Sequence, residues 1–333
     1  MRLLVTGGCG FIASNFIRYW FKNHPQDEII NLDLLTYAAN PGNLADIAEL
    51  ANYRFVQGNI CDAILVEKLV SEVDIVINLA AETHVDRSIL GAEDFVQTNI
   101  IGTFTLLEAI KKYQKRFHQI STDEVYGDLQ DQEPAFNENS PYRPSSPYSA
   151  SKASADHLVR SYFRTFKLPV TISNCSNNYG PYQFPEKLIP FFATNLIENK
   201  KVPVYGSGKN VRDWIHVDDH NAGIEAILQK GKMGETYCLG GGQEMNNLEI
   251  TQMILNFFGK DQAWMEFVED RKGHDWRYAI NYQKAKQELG WSPQINFAQG
   301  LEQTLTWYQS HESWWKALKN RAGKFYSSEK TAI

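Results

Sequence analysis

The chain has 333 residues, of which 43% are hydrophobic and 22% are charged, and its formal net charge is −6. This is an ordinary globular composition, with enough apolar material for one large domain or two coupled ones. An acidic chain does not attract nucleic acid or an anionic membrane through its overall field, so we expect neither partner. An anionic small substrate would need a local basic pocket instead.

The four cysteines, Cys9, Cys61, Cys175 and Cys238, are scattered along the chain without a C-x-x-C pair. This spacing argues against a zinc site or a disulfide framework, and it fits a reducing compartment. The first residues lack the basic start and apolar core of a signal peptide. No apolar run is long enough to span a bilayer. We therefore expect a soluble cytoplasmic protein without a metal site.

The first elements are a strand, a glycine-rich turn and a helix. A β-type run at 3–6 leads into the turn, and a helical pattern follows at 14–23. The turn contains Gly8-x-Gly10-x-x-Ala13, in which glycines let the backbone approach a pyrophosphate near the positive end of the helix. Alone this motif is weak, because a glycine-rich turn is often only a turn.

A second strand-like run, at 28–32, strengthens the interpretation. It ends at Asp33, about 20 residues after the glycines, where an acidic side chain binds the ribose hydroxyls of a dinucleotide. Leu34 and Leu35 follow, so there is no arginine or lysine at this point to pair with a 2′-phosphate. The sequence therefore favours NAD over NADP as the cofactor.

Strand-like and helical runs then alternate, which is typical of a Rossmann-type doubly wound parallel sheet with right-handed crossovers. The further strand-like runs lie at 54–57, 73–79, 117–120 and 170–174, and helical patterns lie at 63–71, 92–112 and 149–166. The polar, proline-bearing segment 128–147 is long enough to be a functional lid.

Regularity weakens after residue 174, where prolines and glycines become frequent. We expect 1–174 to be an NAD-binding Rossmann domain. Residues 175–333 should form mainly a smaller α/β domain that binds the substrate, with some segments returning to the sheet. In this part the patterns predict a strand at 235–239 and helices at 187–199, 218–229, 247–258, 282–289 and 297–318.

Two adjacent carboxylates follow the strand-like run at 117–120. Thr122, Asp123 and Glu124 would lie at the carboxyl end of a parallel strand, where open α/β sheets bind ligands. Two carboxyl groups there could serve as general acid and general base. The alternative is that Ser121-x-x-Glu124 is only a capping box that starts a helix.

A tyrosine and a lysine, Tyr148 and Lys152, are spaced four apart in a helical pattern and so share one helix face. A phenol with a pKa near 10 is a poor base at neutral pH, but a neighbouring ammonium favours the phenolate. An isolated Tyr-x-x-x-Lys is usually an ordinary helix pair. Here it follows a dinucleotide fingerprint and an acid pair, and that combination favours catalysis.

Together these motifs identify a resemblance. The chain resembles the extended short-chain dehydrogenase/reductases that act on nucleotide sugars, and among them most narrowly the dTDP-glucose 4,6-dehydratases, from residue 1 to about 300. The motifs that carry the resemblance lie at 6–12, 78–88, 121–127, 147–152, 177–181, 212–214 and 270–275. The Thr-Asp-Glu tripeptide at 122–124 is the discriminating one, since related epimerases and decarboxylases lack the acid pair.

The resemblance implies a lyase reaction in which dTDP-glucose loses water. Tyr148 would take the proton of the C4 hydroxyl while the C4 hydride passes to NAD, and Lys152 would depress the pKa of Tyr148. Thr122 would hydrogen-bond the C4 oxygen. Glu124 would then remove the C5 proton, and protonated Asp123 would give its proton to the departing C6 hydroxyl. The hydride would return to C6, giving dTDP-4-keto-6-deoxyglucose.

The resemblance also implies binding residues and a homodimer, in which the helices at 92–112 and 149–166 pack as a four-helix bundle. The NAD contacts would be Gly7, Gly10, Phe11, Ile12, Asp33, Leu34, Thr36, Asn59, Ile60, Leu79, Ala80, Ala81, Thr98, Tyr148, Lys152 and Asn178. The nucleotide sugar would contact Thr83, Thr122, Asn177, Lys187, Leu188, Pro203, Tyr205, Arg212, Asn247, Arg271 and His274. Arginine and lysine suit a diphosphate.

Several positions depart from the usual family pattern. Asn59 stands for an aspartate near the adenine, Asn174 for an arginine, and Thr83 for a serine, while Lys272 and Trp276 alter the nucleotide-binding run. These departures leave open a different nucleoside diphosphate sugar as the substrate. The dinucleotide motif is also compatible with a 4-epimerase, a decarboxylase or a catalytically silent dinucleotide sensor on the same fold.

Overall fold

The computed structural model describes residues 1–270 and 273–329. Its strands, in chain order, are Arg2–Thr6 (β1), Glu28–Asp33 (β2), Tyr53–Gln57 (β3), Ile75–Asn78 (β4), Arg116–Thr122 (β5), Val170–Cys175 (β6), Asn177–Tyr179 (β7), Val202–Tyr205 (β8), Val211–His216 (β9), Thr236–Leu239 (β10), Glu244–Asn246 (β11) and Met265–Val268 (β12).

The α-helices are Phe11–Asn23 (α1), Ala63–Ser71 (α2), Val85–Leu90 (α3), Glu93–Phe95 (α4), Thr103–Tyr113 (α5), Pro147–Phe166 (α6), Leu188–Ile197 (α7), Val217–Lys230 (α8), Asn247–Phe257 (α9), Gln283–Leu289 (α10), Phe297–Ser310 (α11) and Glu312–Glu329 (α12). A π-helical segment, Val96–Gly102, joins α4 to α5. None of the helices in these described ranges is both long and apolar enough to cross a membrane.

A seven-stranded parallel sheet in the order β10-β6-β5-β4-β1-β2-β3 is the centre of the described chain. The central strands β1 and β4 are buried on both faces, apart from Arg2 at the start of β1, because helices cover both sides of the sheet. Leu3 and Val5 of β1 face Phe16 of α1, while Leu4 between them faces the layer of α2, α5 and α6. The predicted fold class, a Rossmann-type doubly wound sheet, is confirmed.

The chain reverses its direction of travel through the sheet at β1. Strands β2 and β3 extend the sheet to one side of β1, and β4, β5 and β6 extend it to the other. The carboxyl ends of β1 and β4 therefore border a crevice, which is where open α/β sheets bind ligands.

Beyond residue 175 the chain builds a smaller layer that lies over this edge. It contains a three-stranded sheet, β11-β9-β7, and a parallel pair, β12-β8, packed against α7, α9 and α11 around a separate apolar cluster. Strand β10 returns to the main sheet beside β6. The division of the chain at residue 174 stays a prediction.

Several element predictions differ from the structure. The helix expected at 297–318 is two helices, which end and begin on either side of His311. The His311 ring stacks on Trp307 at 4.2 Å, and the break turns Trp315 inward so that its indole donates to the carbonyl of Tyr308. The sequence patterns do not predict strands β7, β8, β9, β11 and β12, which lie in the part of the chain where prolines and glycines interrupt the regular alternation.

The long segment 128–147, expected as a lid, is fastened along much of its length to residues 275–281. Phe136 forms a β-bridge with Ile280, and the amide of Leu129 donates to the carbonyl of Arg277 at 3.1 Å. Ser145 donates to the carboxylate of Asp275. The segment is therefore a fixed strap in this structure.

Candidate active site

The predicted catalytic turn begins where β5 ends. After Thr122 the chain enters a 3-10 turn, Asp123–Tyr126, and the Thr122 hydroxyl accepts the amide of Glu124 at 3.3 Å. Ser121 does not cap this turn, because its hydroxyl donates to Asp156 at 2.7 Å. The interpretation in which Ser121 forms the capping box is therefore wrong. The turn brings all three predicted side chains, Thr122, Asp123 and Glu124, to the wall of one groove.

Helix α6 supplies the other predicted pair. It begins with a capping box between Ser146 and Ser149 and carries Pro147 in its first turn, which fixes its start. Tyr148 and Lys152 are both buried and line the same groove as the catalytic turn. The Lys152 ammonium donates to the carbonyl of Ile120 at 2.7 Å, which ties the helix to the end of β5.

Asp123 is the more deeply buried member of the acid pair, with 2% of its surface exposed. One carboxyl oxygen accepts from the Thr122 hydroxyl at 3.2 Å, and the other has no hydrogen-bond partner among the described residues. Burial, and then the charge of Glu124, raise the pKa of Asp123 well above its usual range. This favours the protonated acid, as a proton donor requires.

The electrostatics of Tyr148 differ from the expectation based on Lys152. Burial, and then the charge of Glu124, raise the pKa of the Tyr148 phenol well above its usual value, although a hydrogen bond from Thr122 opposes them. Burial also lowers the pKa of Lys152. A phenol sealed from water loses the hydration of its anion, and spacing along a helix does not reveal that cost.

All sixteen residues predicted to bind the cofactor line this groove, whose volume is about 310 Å³. Gly7 has φ +71°, and a Cβ there would lie 2.8 Å from the backbone of Ala80. Gly10 caps α1 without a side-chain hydrogen bond, so the helix end faces the groove with bare backbone. Only glycine permits this close approach, which suits a pyrophosphate.

Asp33 lies where a ribose would be held. Its two carboxylate oxygens accept the amides of Cys9 at 2.9 Å and Leu35 at 2.7 Å, and these bonds fix its orientation at the end of β2. Leu34 beside it is exposed and places no cation there. The groove thus fits a dinucleotide without a 2′-phosphate, in agreement with the prediction of NAD.

A second, larger cavity of about 1100 Å³ adjoins the groove. It is lined by nine of the predicted substrate residues: Thr83, Asn177, Lys187, Leu188, Pro203, Tyr205, Arg212, Asn247 and His274. Thr122 lines the groove instead, and Arg271 lies outside the described residues. Glu124 lines both spaces, so the two meet at the catalytic turn.

The cations of this cavity are held in place by the protein. The buried Arg212 guanidinium donates to the carbonyl of Asp275 at 3.0 Å and lies over the Tyr278 ring at 4.4 Å. The Lys187 ammonium lies 3.3 Å from the carbonyl of Thr83. Held cations of this kind lose little entropy on binding a diphosphate.

Sequence reasoning missed a second cluster at the junction of the two spaces. Glu186 lines both, forms a buried ion pair with Arg87 at 3.2 Å and accepts the hydroxyl of Tyr37 at 3.0 Å. Glu82 lines the groove, and burial, then Asp94, raise its pKa to about 7. Their positions gave a signal, since Glu82 and Arg87 lie inside the 78–88 motif and Glu186 directly precedes Lys187.

Comparisons with known proteins define the class. The family model described as GDP-mannose 4,6 dehydratase matches residues 4–304 of the chain. The crystal structure of DesIV, a dTDP-glucose 4,6-dehydratase from Streptomyces venezuelae with NAD bound, is 48% identical with a TM-score of 0.93, covering 96% of this chain and 100% of that one. The chain belongs to this nucleotide-sugar dehydratase family.

Individual relatives of high sequence identity share one name. The dTDP-glucose 4,6-dehydratase of Mycolicibacterium smegmatis is 50% identical over 322 residues, which cover 96% of this chain and 97% of the relative. The dTDP-glucose 4,6-dehydratase of Haemophilus influenzae is also 50% identical, over 94% of this chain and 99% of the relative. The resemblance inferred from the motifs is confirmed.

We predict that Gly7→Ala weakens NAD binding by at least about tenfold, which is about 1.4 kcal/mol. The new methyl group would meet the Ala80 backbone, and φ at this position is positive. Calorimetric titration with NAD measures the effect. Gly91→Ala is the control, since no atom lies within 4 Å of its added Cβ. Equal affinity in both variants would contradict the close-approach role of Gly7.

Proposed function

We propose that the chain is an NAD-dependent hydro-lyase that converts dTDP-glucose to dTDP-4-keto-6-deoxyglucose. One observation carries the proposal: a buried acid whose environment favours its proton, Asp123, lies in the same groove as Glu124, Tyr148 and Lys152. The relatives of this name, at half identity over nearly the whole chain, support the reaction, the cofactor and the substrate predicted from the motifs.

The acid pair distinguishes this reaction from epimerisation. The UDP-glucose 4-epimerase of Thermotoga maritima has a TM-score of 0.86 at 28% identity, so the fold is shared and does not separate the two reactions. An epimerase moves a hydride to and from C4 and has no hydroxyl to expel. A proton donor for a leaving group, as Asp123 can be, is useful only for elimination.

In the proposed reaction, each residue acts on one atom of the sugar. The glycine turn and Asp33 would hold NAD in the groove, where its nicotinamide would supply hydride transfer, away from C4 at the start and to C6 at the end. Tyr148 takes the C4 hydroxyl proton, and Thr122, which lines the same groove, holds the C4 oxygen. Glu124, at the junction of groove and cavity, removes the C5 proton. Asp123 gives its proton to the leaving C6 hydroxyl, so that water departs, and Glu124 returns a proton to C5 when the hydride is added at C6.

The nucleotide would lie in the larger cavity, held mainly by residues after 174. Lys187 and Arg212 line it and supply the positive charge that a diphosphate needs, in a chain whose overall charge is negative, and the ring of His274 adds a hydrogen-bonding group to the lining. Asn177, Leu188, Pro203, Tyr205 and Asn247 complete the lining. This division of labour supports the proposed boundary at residue 174.

The proposal includes a cytoplasmic homodimer. Val96, Ile101 and Phe104 expose apolar side chains along the π-helical segment and α5, and Phe166 does so at the end of α6, with 41–46% of each exposed. Apolar groups clustered on adjacent helices are typical of an interface. The four cysteines are unpaired in the structure, which suits the reducing cytoplasm; fractionation of cells tests that location.

Incubation with NAD and dTDP-glucose tests the reaction. The expected product is a 4-keto-6-deoxy sugar nucleotide that is lighter than the substrate by one water, detected by mass spectrometry. UDP-glucose and GDP-mannose serve as matched substrates for the nucleotide base. Formation of dTDP-galactose without loss of mass would contradict the proposal. Absence of turnover by a folded, NAD-binding protein would favour the dinucleotide sensor.

Substitutions in the site should separate its steps. Glu124→Gln and Asp123→Asn should still reduce bound cofactor on addition of dTDP-glucose, but lower product formation by about 10²–10⁴-fold, because the elimination lacks its base or its acid. Tyr148→Phe should prevent the reduction itself. Absorbance of the reduced cofactor at about 340 nm, read beside product mass, distinguishes these outcomes. Normal dehydration by Glu124→Gln would remove Glu124 from the mechanism.

A charge on the apolar helix face should split the dimer. We expect Phe104→Glu to convert the protein to a monomer in light-scattering measurements, because burying an unpaired carboxylate is costly. Phe267→Glu is the matched control, since Phe267 is 60% exposed but lies on β12, away from these helices. An unchanged mass for Phe104→Glu, or the same loss in both variants, would rule out this interface.

A further inference from the structure

A carboxyl group without an assigned role lies directly behind the catalytic turn. Asp156 is on α6, one turn after Lys152 and two turns after Tyr148, so all three share one helix face. Its side chain is completely buried. An ionisable group sealed inside a protein is costly unless it is paired and hydrogen-bonded, so its surroundings need an explanation.

The hydrogen bonds of Asp156 point to a carboxylate anion. Its Oδ2 accepts the hydroxyl of Ser121 at 2.7 Å and the hydroxyl of Tyr142 at 2.9 Å, and the amide of Asn174 lies 3.5 Å away. Its Oδ1 is buried without a hydrogen-bond partner among the described residues, so a proton there would find no acceptor. Three donors and no acceptor stabilise the charged form.

The charged and titratable groups around Asp156 balance that anion. Lys152 precedes it on α6 and Arg160 follows it, with the Arg160 guanidinium donating to the Tyr142 hydroxyl at 2.8 Å. Burial raises the pKa of Asp156, and Lys152 foremost opposes that rise. Burial lowers the pKa of Lys152. The charge of Asp156 opposes this fall most strongly, followed by that of Cys175 of β6. The two buried charges therefore stabilise each other.

The same contacts brace the catalytic turn mechanically. Ser121 directly precedes Thr122 in β5, and Asn174 of β6 donates to the carbonyl of Thr122 at 3.1 Å. Tyr142 comes from the strap that follows the turn. Asp156 thus joins the helix that carries Tyr148 and Lys152 to residues on both sides of the acid pair.

We propose that Asp156 is a positioning residue for the dehydration: its buried carboxylate fixes the end of β5 against α6, one helix turn from Lys152, where its negative charge favours the ammonium form of that lysine. This inference rests on the proposed function, because it assigns Asp156 to the first step, in which Tyr148 and Lys152 take part. Asp156 would support Tyr148 and Lys152 from the same helix and would not contact the sugar.

The test is Asp156→Asn, which keeps the shape of the side chain and removes its charge. The first step is measured alone, as the single-turnover reduction of bound NAD by dTDP-glucose across pH, because Asp123 takes no part in it. We expect the rate to fall at least about tenfold with KM nearly unchanged, and the alkaline limb to move down by about one pH unit. Lys152 then loses its proton more easily, since the negative charge one helix turn away is gone.

Tyr142→Phe is the matched control. It removes a hydrogen bond to Asp156 but leaves the charge, so its alkaline limb should stay at the position of the native protein. An unmoved limb together with a near-native rate in Asp156→Asn would overturn the inference. So would an equal movement of the limb in Tyr142→Phe, because the effect would then belong to packing.

A second variant covers the case in which Asp156→Asn does not fold. Ser121→Ala combined with Tyr142→Phe removes two donors and leaves the carboxylate less stabilised, so Asp156 should take up a proton at higher pH. We expect the acid limb of the reduction step to move up, and an unmoved acid limb would overturn the inference.

Native protein is assayed beside each variant: if it does not turn over dTDP-glucose, the proposed function fails and the inference with it. If native protein turns over dTDP-glucose and only the variants depart from the expected pH profiles, the result counts against the role of Asp156 and leaves the proposed function standing.

Discussion

The site depends on one hydrogen bond, from the Lys152 ammonium to the carbonyl of Ile120 at 2.7 Å. It joins a helix to the last part of a buried strand, and these two elements carry the tyrosine–lysine pair and the acid pair. Because both partners are buried, water cannot replace either of them, and the bond fixes the distance between the two halves of the chemistry. The strand order then places this joint beside the dinucleotide groove, near the point where the chain reverses its direction through the sheet.

Burial sets the protonation of the groups around that joint. The same loss of water favours the protonated form of Asp123 and opposes the release of the Tyr148 phenol proton. Asp123 is thereby suited to give a proton, whereas Tyr148 can act as a base only when positive charge offsets its burial. Burial and the charge of Glu124 act in the same direction on both groups, so one pocket can hold this acid and this base only when a positive charge beside Tyr148 offsets them.

The sequence predicts the parts of this site that are local in the chain. The glycine turn after β1, Asp33 at the end of β2 and the spacing of Tyr148 and Lys152 all follow from periodicity or from short motifs, and the structure places each of them along one groove. Such patterns do not show how deeply an ionisable side chain is buried. Burial, and not the neighbouring Lys152, dominates the pKa of Tyr148 in the protein itself, and burial depends on the packing around the helix.

Contacts between residues that are far apart in the sequence cannot be predicted from local patterns either. Arg87 and Glu186 are 99 positions apart, and Ser121 is 35 positions from Asp156, so no single motif contains both partners. The capping box predicted at Ser121 illustrates the problem. Its local pattern fits, but a hydroxyl takes the stronger acceptor that the fold supplies, and here that acceptor is a carboxylate from another element.

The strap at 128–147 connects the catalytic turn to residues 275–281, which contact the larger cavity. Its first residues continue the catalytic turn, and its middle is bridged through Phe136 to Ile280, in the stretch that also contains Asp275, the residue whose carbonyl holds Arg212. Residues 275–281 therefore connect Arg212, in the lining of the larger cavity, to the strap that follows Glu124. A displacement of 275–281 would be transmitted to both, so the larger cavity and the catalytic turn share one mechanical support.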